Sequence, residues 1–269
     1  MKVLFTGGGT GGHIFPIIAV YREFQKIAPN TNIGFFYVGP KDEASLAYLT
    51  REGIKIKSVL SGKIRRYSGL EPFFLNIIDV LFKIPIGVVQ AFFYIFFLSP
   101  DLIFSKGGYG SIPAVVAGWL LGTPIFLHES DVIPGIANRF LNRFSLEIFS
   151  SFPGKKDKHF PMEKTISIGN PIRKEILDGS KEEAKKIFNL EGQKPLILIL
   201  GGSQGSQRIN DVVLQILPGL LGDFELIHQC GVNNFKIVEA ESNIVIGEDL
   251  KKRYHASPFL DELDLAHAY

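Results

Sequence analysis

The sequence has little cysteine and little net charge, and each shortage excludes a class of protein. A single cysteine, Cys230, excludes a disulfide-stapled scaffold and a cysteine-based metal site, and it is typical of a reducing compartment. The 29 Lys and Arg residues nearly balance the 27 Asp and Glu residues, so the net charge is only +2 and indicates no nucleic-acid partner. No signal peptide is expected, because the apolar run over 1–6 is short and leads directly into glycines. These absences predict a cytoplasmic protein.

What the chain does have is enough apolar residues to bury a core, since 46% of its 269 residues are hydrophobic and 21% are charged. In the first half, short apolar runs alternate with helical patterns. Strands are predicted over 2–6, 33–38, 54–60, 102–105, 124–127 and 147–150, and helices over 13–28, 43–51, 72–98, 112–121 and 135–144. Uniformly apolar strands separated by helices predict a doubly wound α/β domain with a parallel sheet.

A polar, basic and turn-rich stretch over 152–161 is typical of a linker, so we expect one domain over 1–158 and a second over 159–269. The second half repeats the α/β pattern, with strands predicted over 165–168, 196–200, 224–229 and 243–246 and helices over 181–190 and 206–217. It has fewer strands than the first half, and the helix that begins at 261 reaches Tyr269 without a closing glycine. We therefore expect the second domain to be incomplete.

Glycine-rich turns follow several of these strands. Gly7, Gly9 and Gly12 fit G-x-G-x-x-G, a turn that brings backbone N–H groups and a helix N-terminus to a phosphate. A nicotinamide site is disfavoured, because the second strand ends at Val38-Gly39-Pro40 without the acidic residue that holds a ribose. A turn that only packs a helix on the sheet remains an alternative.

The second domain carries a similar turn, Gly201–Ser206, ahead of a helix. One such turn in each domain predicts a diphosphate-containing ligand held in a cleft between the domains. No Walker lysine follows either turn, which disfavours nucleotide hydrolysis, and no D-x-D motif indicates a metal or other cofactor. A third glycine segment over 105–111 and the His128–Asp131 segment are predicted to reach the same edge of the first sheet.

Several motifs in order resemble the MurG family of peptidoglycan glycosyltransferases. They are GGGTGGHIFP over 7–16, SKGGYGSIPAVVAG over 105–118, GTPIFLHESD over 122–131, PGIANR over 134–139, GNPIR over 169–173 and GGSQGS over 201–206. The resemblance implies the GT-B fold, in which two Rossmann-like domains face a cleft. It also implies transfer of N-acetylglucosamine from UDP-N-acetylglucosamine to undecaprenyl-pyrophosphoryl-muramyl-pentapeptide.

The resemblance implies roles for individual residues as well. Thr10, Gly11 and Gly12 would line the cleft near the transferred sugar and the acceptor diphosphate. On the donor side, the implied contacts are Arg173, Ser203, Gln204 and Leu260, the last through its backbone near the uracil. The family usually has Asn where this chain has Asp131, which keeps an acceptor oxygen, loses an amide donor and adds a negative charge.

The implied reaction inverts the sugar, so it needs a base for the acceptor 4-hydroxyl and positive potential for the leaving UDP. His13 is the preferred base, since an unperturbed histidine pKa of about 6.5 suits proton abstraction at neutral pH. Alternatively, His13 only orients the start of the helix and Glu129 is the base, while His128 is a structural residue. Ser203 and Arg173 would stabilise the leaving group.

Phenylalanines gather in the stretch over 72–98, and its part over 80–98 is long enough to span a bilayer. A span would place consecutive strands of one sheet on opposite sides of the membrane, so we prefer a monotopic patch to a span or a buried core helix. Its predicted members are Phe73, Phe74, Phe82, Phe92 and Phe93, with Lys63, Arg65 and Arg66 contacting anionic headgroups. The sequence thus predicts a peripheral enzyme on the cytoplasmic face of the membrane.

Two other functions stay open at this point. One is a different sugar-nucleotide enzyme of the same fold, such as an epimerase or another lipid glycosyltransferase. The other is a catalytically silent fragment that binds lipid and acceptor without turning over the donor.

Overall fold

The computed structural model describes residues 1–8, 11–29, 31–63, 70–152, 159–191, 194–202 and 204–268, with the side chains of residues 44, 45, 70, 73, 262 and 263 excepted. The chain divides into two compact units, Met1–Ile172 and Arg173–Tyr269. Each unit is built from parallel strands and helices, as the sequence predicts.

The first unit contains one sheet of seven strands. They are β1 (Lys2–Thr6), β2 (Gly34–Gly39), β3 (Lys55–Ser58), β4 (Leu102–Ser105), β5 (Ile125–Glu129), β6 (Glu147–Ser150) and β7 (Thr165–Ser167). All neighbours pair in parallel, in the order β3-β2-β1-β4-β5-β6-β7. The order reverses between β1 and β4, and the carboxyl ends of strands at such a switch point are where ligands bind in open α/β sheets.

Helices cover both faces of this sheet. They are α1 (Gly11–Ile27), α2 (Glu43–Arg51), α3 (Leu70–Ile78), α4 (Ile84–Leu98), α5 (Ile112–Leu120) and α6 (Ile136–Leu141), and a π-helical turn, Asp79–Lys83, joins α3 to α4. Alternate residues of β1 point to opposite faces: Val3 and Phe5 join one buried cluster, and Leu4 joins the other. The uniformly apolar strands are buried on both sides for this reason.

The second unit has a smaller sheet of three parallel strands, in the order β10-β9-β8. Its elements are α7 (Lys181–Ile187), β8 (Leu196–Leu200), α8 (Gln207–Asp223), β9 (Glu225–Gln229), α9 (Phe235–Val245), β10 (Tyr254–Ser257) and α10 (Glu262–Ala268). Ser180 caps α7, because its side chain accepts a hydrogen bond from the backbone N–H of Glu183.

The boundary between the units lies later than the sequence pattern indicates. Residues 165–168, which resembled the first strand of a second domain, contain β7, and β7 pairs with β6 in the first sheet. The compact units therefore divide at 172/173 rather than at 158/159. The pairing partner of a short strand is set by tertiary contacts, which the local pattern does not record.

The strand predicted over 243–246 is wrong. Residues 243–245 end helix α9, in which the buried Val238 and Ser242 lie one turn apart. The side-chain amide of Asn243 also donates to the carbonyl of Glu239, four residues earlier, at 2.9 Å. The third strand of this sheet is β10, which the sequence pattern did not indicate.

Candidate functional site

His13 lies in the first turn of α1, directly after the glycine turn that follows β1. Its Nδ1 lies 3.4 Å from the backbone oxygen of Lys106, at the carboxyl end of β4. In the neutral ring Nδ1 then carries the proton and Nε2 keeps its lone pair. Burial, and next the charge of Lys106, lower the pKa of His13 below its ordinary value of 6.5, so the ring is neutral at physiological pH.

Gly108, in the third glycine segment, leaves room for the His13 ring. Its φ of +81° is in the left-handed region, and a Cβ at this position would lie 2.9 Å from Nε2 of His13. The ring therefore requires glycine here. This close approach brings the first and third glycine segments together, as the sequence predicts for segments that follow neighbouring strands.

A cavity of about 540 Å³ adjoins His13 within the first unit. Its polar part is lined by His13, Lys63, Glu129 and Asp131. Its apolar part is lined by side chains from the π-helical turn, α4, α5 and α6, namely Val80, Ile84, Ile112, Ile136 and Phe140. A cavity with convergent polar groups at one end of an apolar lining is typical of a binding site.

Glu129 ends β5 and organises the loop that follows it. Its Oε1 accepts from the backbone N–H of Asp131 at 2.9 Å, and its Oε2 accepts from the backbone N–H of Gly135 at 3.1 Å and from Nδ2 of Asn138 at 2.9 Å. Asn138 in turn accepts from the backbone N–H of Gly108 at 3.2 Å. Glu129 is 4% exposed and both of its carboxylate oxygens accept hydrogen bonds, which favours a positioning role over that of a base.

His128 is fully buried beside Glu129. Its Nε2 donates to the carbonyl of Gly169 at 3.1 Å, and its Nδ1 has no hydrogen-bond partner among the described residues. Burial, with a smaller effect of the Lys106 charge, lowers the pKa of His128 to about 4. These contacts fit the structural role that the sequence left open for His128.

Lys106 is a residue whose importance the sequence did not reveal. Its side chain is buried, at 2% exposure, and its ammonium donates to Oγ of Ser130. Burial lowers the pKa of Lys106 to about 8, opposed by the negative charges of Glu129 and Asp131. The sequence feature that could have indicated its importance is its position between the buried strand β4 and two glycines, Gly107 and Gly108.

In the second unit, the glycine turn between β8 and α8 carries a described Gln204, whose side chain is exposed. The N–H of Gly205 donates to the carbonyl of Gly202 at 3.1 Å, which closes the turn just before the N-terminus of α8. Exposed N–H groups at such a helix start attract anions.

Gln229 connects this turn to the segment that contains Leu260. Its Nε2 donates to the carbonyl of Gly202 at 2.9 Å, and its Oε1 accepts from the N–H of Leu260 at 3.0 Å. Leu260 itself is buried, as is Arg173 at the start of the unit. Sequence reasoning missed Gln229, although a polar residue that ends the apolar strand β9 was a visible signal.

Four of the predicted site residues, Thr10, Arg65, Arg66 and Ser203, lie outside the described residues, as does the side chain of Phe73. Gly11 and Gly12 open helix α1, next to His13. Asp131 is exposed and lies at the start of the loop that Glu129 organises. Among the described residues no group of His, Cys, Asp and Glu side chains is suited to a metal ion.

The helical stretch over 74–98 exposes an apolar face. We use this term for the exposed side chains of Phe74, Leu81, Phe82, Ile86, Val89, Phe93, Phe96 and Phe97. The opposite side buries Gly87, Ala91 and Ile95. Within the described part of the chain this is one helix, Phe74–Leu98, long and apolar enough to cross a membrane by length and composition.

One predicted member of this face is placed differently. Phe92 is only partly exposed, packs against the core and contacts the rings of Phe93 and Phe96. Phe74, Phe82 and Phe93 are more than half exposed, and Lys63 is also exposed. Periodicity alone did not reveal that Phe96 and Phe97 belong to the face.

Two parallel-sheet units, each with a glycine turn before a helix, define an α/β protein of the doubly wound class. Comparison with known families makes this specific. The chain belongs to glycosyltransferase family 28: residues 3–150 match the N-terminal domain of that family, and residues 196–268 match its C-terminal domain.

Curated relatives carry the name UDP-N-acetylglucosamine--N-acetylmuramyl-(pentapeptide) pyrophosphoryl-undecaprenol N-acetylglucosamine transferase. One from Bacillus cereus is 41% identical over 233 residues, which cover 87% of this chain and 63% of the relative. One from Clostridium botulinum is 38% identical over 233 residues, which again cover 87% of this chain and 63% of the relative. The resemblance to the MurG family is thereby confirmed, and the chain spans less than two thirds of the length of these relatives.

Solved structures confirm the predicted α/β, GT-B fold class. The MurG of Acinetobacter baumannii superposes with a TM-score of 0.62 at 23% identity, covering 98% of this chain and 68% of that one. The UDP-GlcNAc 2-epimerase of Neisseria meningitidis, solved with UDP-GlcNAc, superposes with a TM-score of 0.60 at 16% identity. The superposition covers 99% of this chain and 74% of the epimerase. At these identities the likeness concerns the fold alone.

Proposed function

We propose that this chain takes part in an inverting transfer of N-acetylglucosamine from UDP-N-acetylglucosamine to the lipid-linked muramyl-pentapeptide of peptidoglycan synthesis. The observation that carries the proposal is the 41% identity to a relative named for this reaction, over 87% of the chain. A neutral, partly buried histidine that lines a cavity in the first unit supports it chemically.

In the proposed reaction, Nε2 of His13 takes the proton of the acceptor 4-hydroxyl. The oxygen forms a bond to the anomeric carbon of the sugar as the bond from that carbon to UDP breaks. Because Nδ1 points to the carbonyl of Lys106, the ring is held with Nε2 available as the base. Glu129 holds the loop over 130–138 rather than taking the proton, since its oxygens already accept hydrogen bonds.

The donor side is assigned to the second unit. The glycine turn over 201–206 and the N-terminus of α8 would offset the charge of the diphosphate, together with Arg173 and the Ser203 hydroxyl. Gln204 and the backbone of Leu260 complete the proposed donor contacts. Gln229 supports both segments through its two hydrogen bonds. No metal or other cofactor is part of this proposal.

The protein is proposed to act as a peripheral protein on the cytoplasmic face of the membrane. The apolar face and the exposed Lys63 suit the interface with anionic lipids. The strands on either side of this helix, β3 and β4, belong to one sheet, which is incompatible with a helix that carries the chain across the membrane. A polyprenyl-linked acceptor requires a surface of this kind.

The proposal is tested by incubating the chain with radiolabelled UDP-N-acetylglucosamine and the lipid-linked muramyl-pentapeptide in detergent. We expect label in the lipid fraction only when both substrates are present. Label that leaves the nucleotide as an epimeric sugar, with none in lipid, would support an epimerase instead. Acceptor binding without any donor turnover would support a binding fragment.

A further inference from the structure

The cavity beside His13 has an apolar lining that the fold covers only in part. We use this term for the side chains of Val80, Ile84, Ile112, Ile136 and Phe140. Ile112 is buried, and Ile84 packs against a buried cluster of the first unit. Val80, Ile136 and Phe140 are exposed instead. Exposed apolar side chains that gather around a cavity are typical of a surface that a ligand or partner covers.

Two separate elements supply the exposed part of this lining. Ile136 and Phe140 are four residues apart on α6, so their side chains lie on the same face of that helix. Val80 comes from the π-helical turn, Asp79–Lys83, between α3 and α4. Such turns are rare and occur frequently at functional sites.

The apolar lining is continuous along the chain with the apolar face. Val80 lines the cavity, while the next two residues, Leu81 and Phe82, are exposed members of the apolar face. Ile84, which begins α4, returns to the cavity. A single turn of helix therefore contributes both to the wall of the cavity and to the surface proposed to contact the membrane.

The polar part of the cavity gives this arrangement a direction. The His13 ring lines it, and the exposed Lys63 adds a positive charge. A ligand that fills the whole cavity would thus carry polar or anionic groups at one end and an apolar chain at the other. The cavity volume of about 540 Å³ is within the range of small-molecule sites.

We propose that the apolar lining binds the isoprenoid units nearest the diphosphate of the lipid-linked acceptor. The inference rests on the proposed function, in which the sugar hydroxyl reaches Nε2 of His13. The relatives are named for an acceptor whose muramyl, pyrophosphoryl and undecaprenol groups follow in that order. With the sugar at His13 and the far end of the lipid in the membrane, the first isoprenoid units lie between them, where the apolar lining leads to the apolar face.

The proposal differs measurably from a lipid that stays wholly in the bilayer. In that case the isoprenoid chain would add nothing to binding when no membrane is present. If the first units enter the cavity, each one removes apolar surface from water and should tighten binding at least about tenfold.

The experiment compares isopentenyl diphosphate with geranyl diphosphate, which carry one and two isoprenoid units on the same headgroup. Their dissociation constants are measured by titration calorimetry on the whole chain, without membrane or detergent. We expect geranyl diphosphate to bind at least about tenfold more tightly, because the headgroup is unchanged and the second unit gains apolar contacts. Equal affinities, or no detectable binding of geranyl diphosphate, would overturn the proposal.

Two double variants locate the site. Val80→Thr with Ile136→Thr places two hydroxyls in the apolar lining, and we expect it to reduce the preference for geranyl diphosphate at least about fivefold. Ile78→Thr with Ile133→Thr is the matched control, because both side chains are exposed and lie close in sequence to the first pair but outside the lining. It should keep the whole preference. Thermal melting shows whether each variant is folded, and if the first is not, the two ligands on the unmodified protein decide.

A soluble phospholipid, dihexanoylphosphatidylglycerol, tests a different occupant of the same lining. We expect it to bind more weakly than geranyl diphosphate. If it binds more tightly and loses affinity in the variant with Val80→Thr and Ile136→Thr, the occupant is a membrane phospholipid and the proposal is wrong.

The transfer assay of the proposed function is a separate readout. If no sugar is transferred but the preference for geranyl diphosphate exists and falls in the lining variant alone, the proposed function fails and the isoprenoid site stands. If sugar is transferred but the two double variants lose the preference equally, the proposed function stands and the isoprenoid site is refuted.

Discussion

The buried carboxylate of Asp79 accepts a hydrogen bond from the backbone N–H of Lys63, with 3.1 Å between Oδ2 and the nitrogen. Its Oδ1 pairs with the ammonium of Lys83 at 2.5 Å, and the side chain is 2% exposed. Asp79 belongs to the π-helical turn between α3 and α4, while Lys63 lines the polar part of the cavity. One carboxylate thus connects the helix that bears the apolar face to the wall of the candidate site.

Replacing this carboxylate should destabilise the first unit. Asp79→Ala leaves the N–H of Lys63 without its acceptor, and we expect a loss of about 2 kcal/mol in the free energy of unfolding. The matched control is Asp79→Asn, because its amide oxygen can still accept from Lys63 and only the charge that pairs with Lys83 is lost, so it should cost less than Asp79→Ala. Urea denaturation measures both, and equal losses in the two variants would contradict a special role for the bond to Lys63.

His13→Gln should lower the rate of sugar transfer by at least about 100-fold, because the amide cannot take the acceptor proton. Its carboxamide can still donate to the carbonyl of Lys106, so the start of α1 should remain in place. The paired variant is Glu129→Gln, whose single oxygen can still accept from Gly135 and Asn138 while the bond from Asp131 is lost, so turnover should fall less than about tenfold. Initial rates at saturating substrates measure both effects. If Glu129→Gln abolishes transfer while His13→Gln does not, the base is Glu129.

The sequence could predict those parts of the fold and site that depend on local pattern. Uniformly apolar strands between amphipathic helices indicate a parallel sheet, and a glycine turn after the first strand indicates the start of a helix that carries His13. The buried position of Lys106 depends instead on a hydrogen bond to Ser130, which follows the neighbouring strand β5. The local sequence pattern around Lys106 does not indicate this long-range contact. The run over 243–246 misled for a related reason: β-branched residues favour strands, yet here they complete a helix that began at Phe235.

Vesicle binding should depend on the apolar face. We expect the double variant Phe93→Ser and Phe97→Ser to lower partitioning onto anionic vesicles at least about tenfold, since burying one such ring contributes about 1.5–3 kcal/mol. Ile244→Ser is the matched control, because Ile244 is 82% exposed but lies in α9 of the second unit. Flotation at low and high salt measures partitioning. Equal losses in both variants, or no binding by the unmodified protein, would reject the proposed membrane contact.

Gln229→Leu should weaken donor binding without changing acceptor binding. It removes the hydrogen bonds to Gly202 and to Leu260, so both segments proposed to contact the donor lose their common support. We expect the dissociation constant for UDP to rise about tenfold, as for the loss of one or two hydrogen bonds. Gln229→Glu can still accept from Leu260 but sets a buried carboxylate oxygen against the carbonyl of Gly202, so it should weaken UDP binding at least as much. Unchanged UDP affinity in Gln229→Leu would show that the two segments hold their positions without it.

Acid should destabilise both units through one buried histidine in each. In the second unit, Nδ1 of His228 lies 2.9 Å from the Tyr254 hydroxyl and Nε2 lies 3.1 Å from Oδ1 of Asn210, and burial lowers the pKa of His228 to about 4. His128 in the first unit also has a pKa of about 4. Because these values lie below the unfolded value of about 6.5, the unfolded chain binds more protons between pH 6.5 and 4, and stability falls as the pH drops through that window.

Each of these two histidines should contribute a loss of about 1 kcal/mol in the free energy of unfolding between pH 6.5 and 5.5. Denaturant titrations at pH 7.5, 6.5, 5.5 and 4.5 measure this dependence. His228→Gln, which cannot be protonated, should lower the stability at pH 7.5 but flatten its pH dependence below 6.5 by about one proton. The interval from pH 7.5 to 6.5 is the internal control, since the unfolded imidazoles take up less than half a proton on average there and the stability should change by less than half as much. An unchanged slope in His228→Gln would mean that His228 is already protonated or exposed in the folded protein.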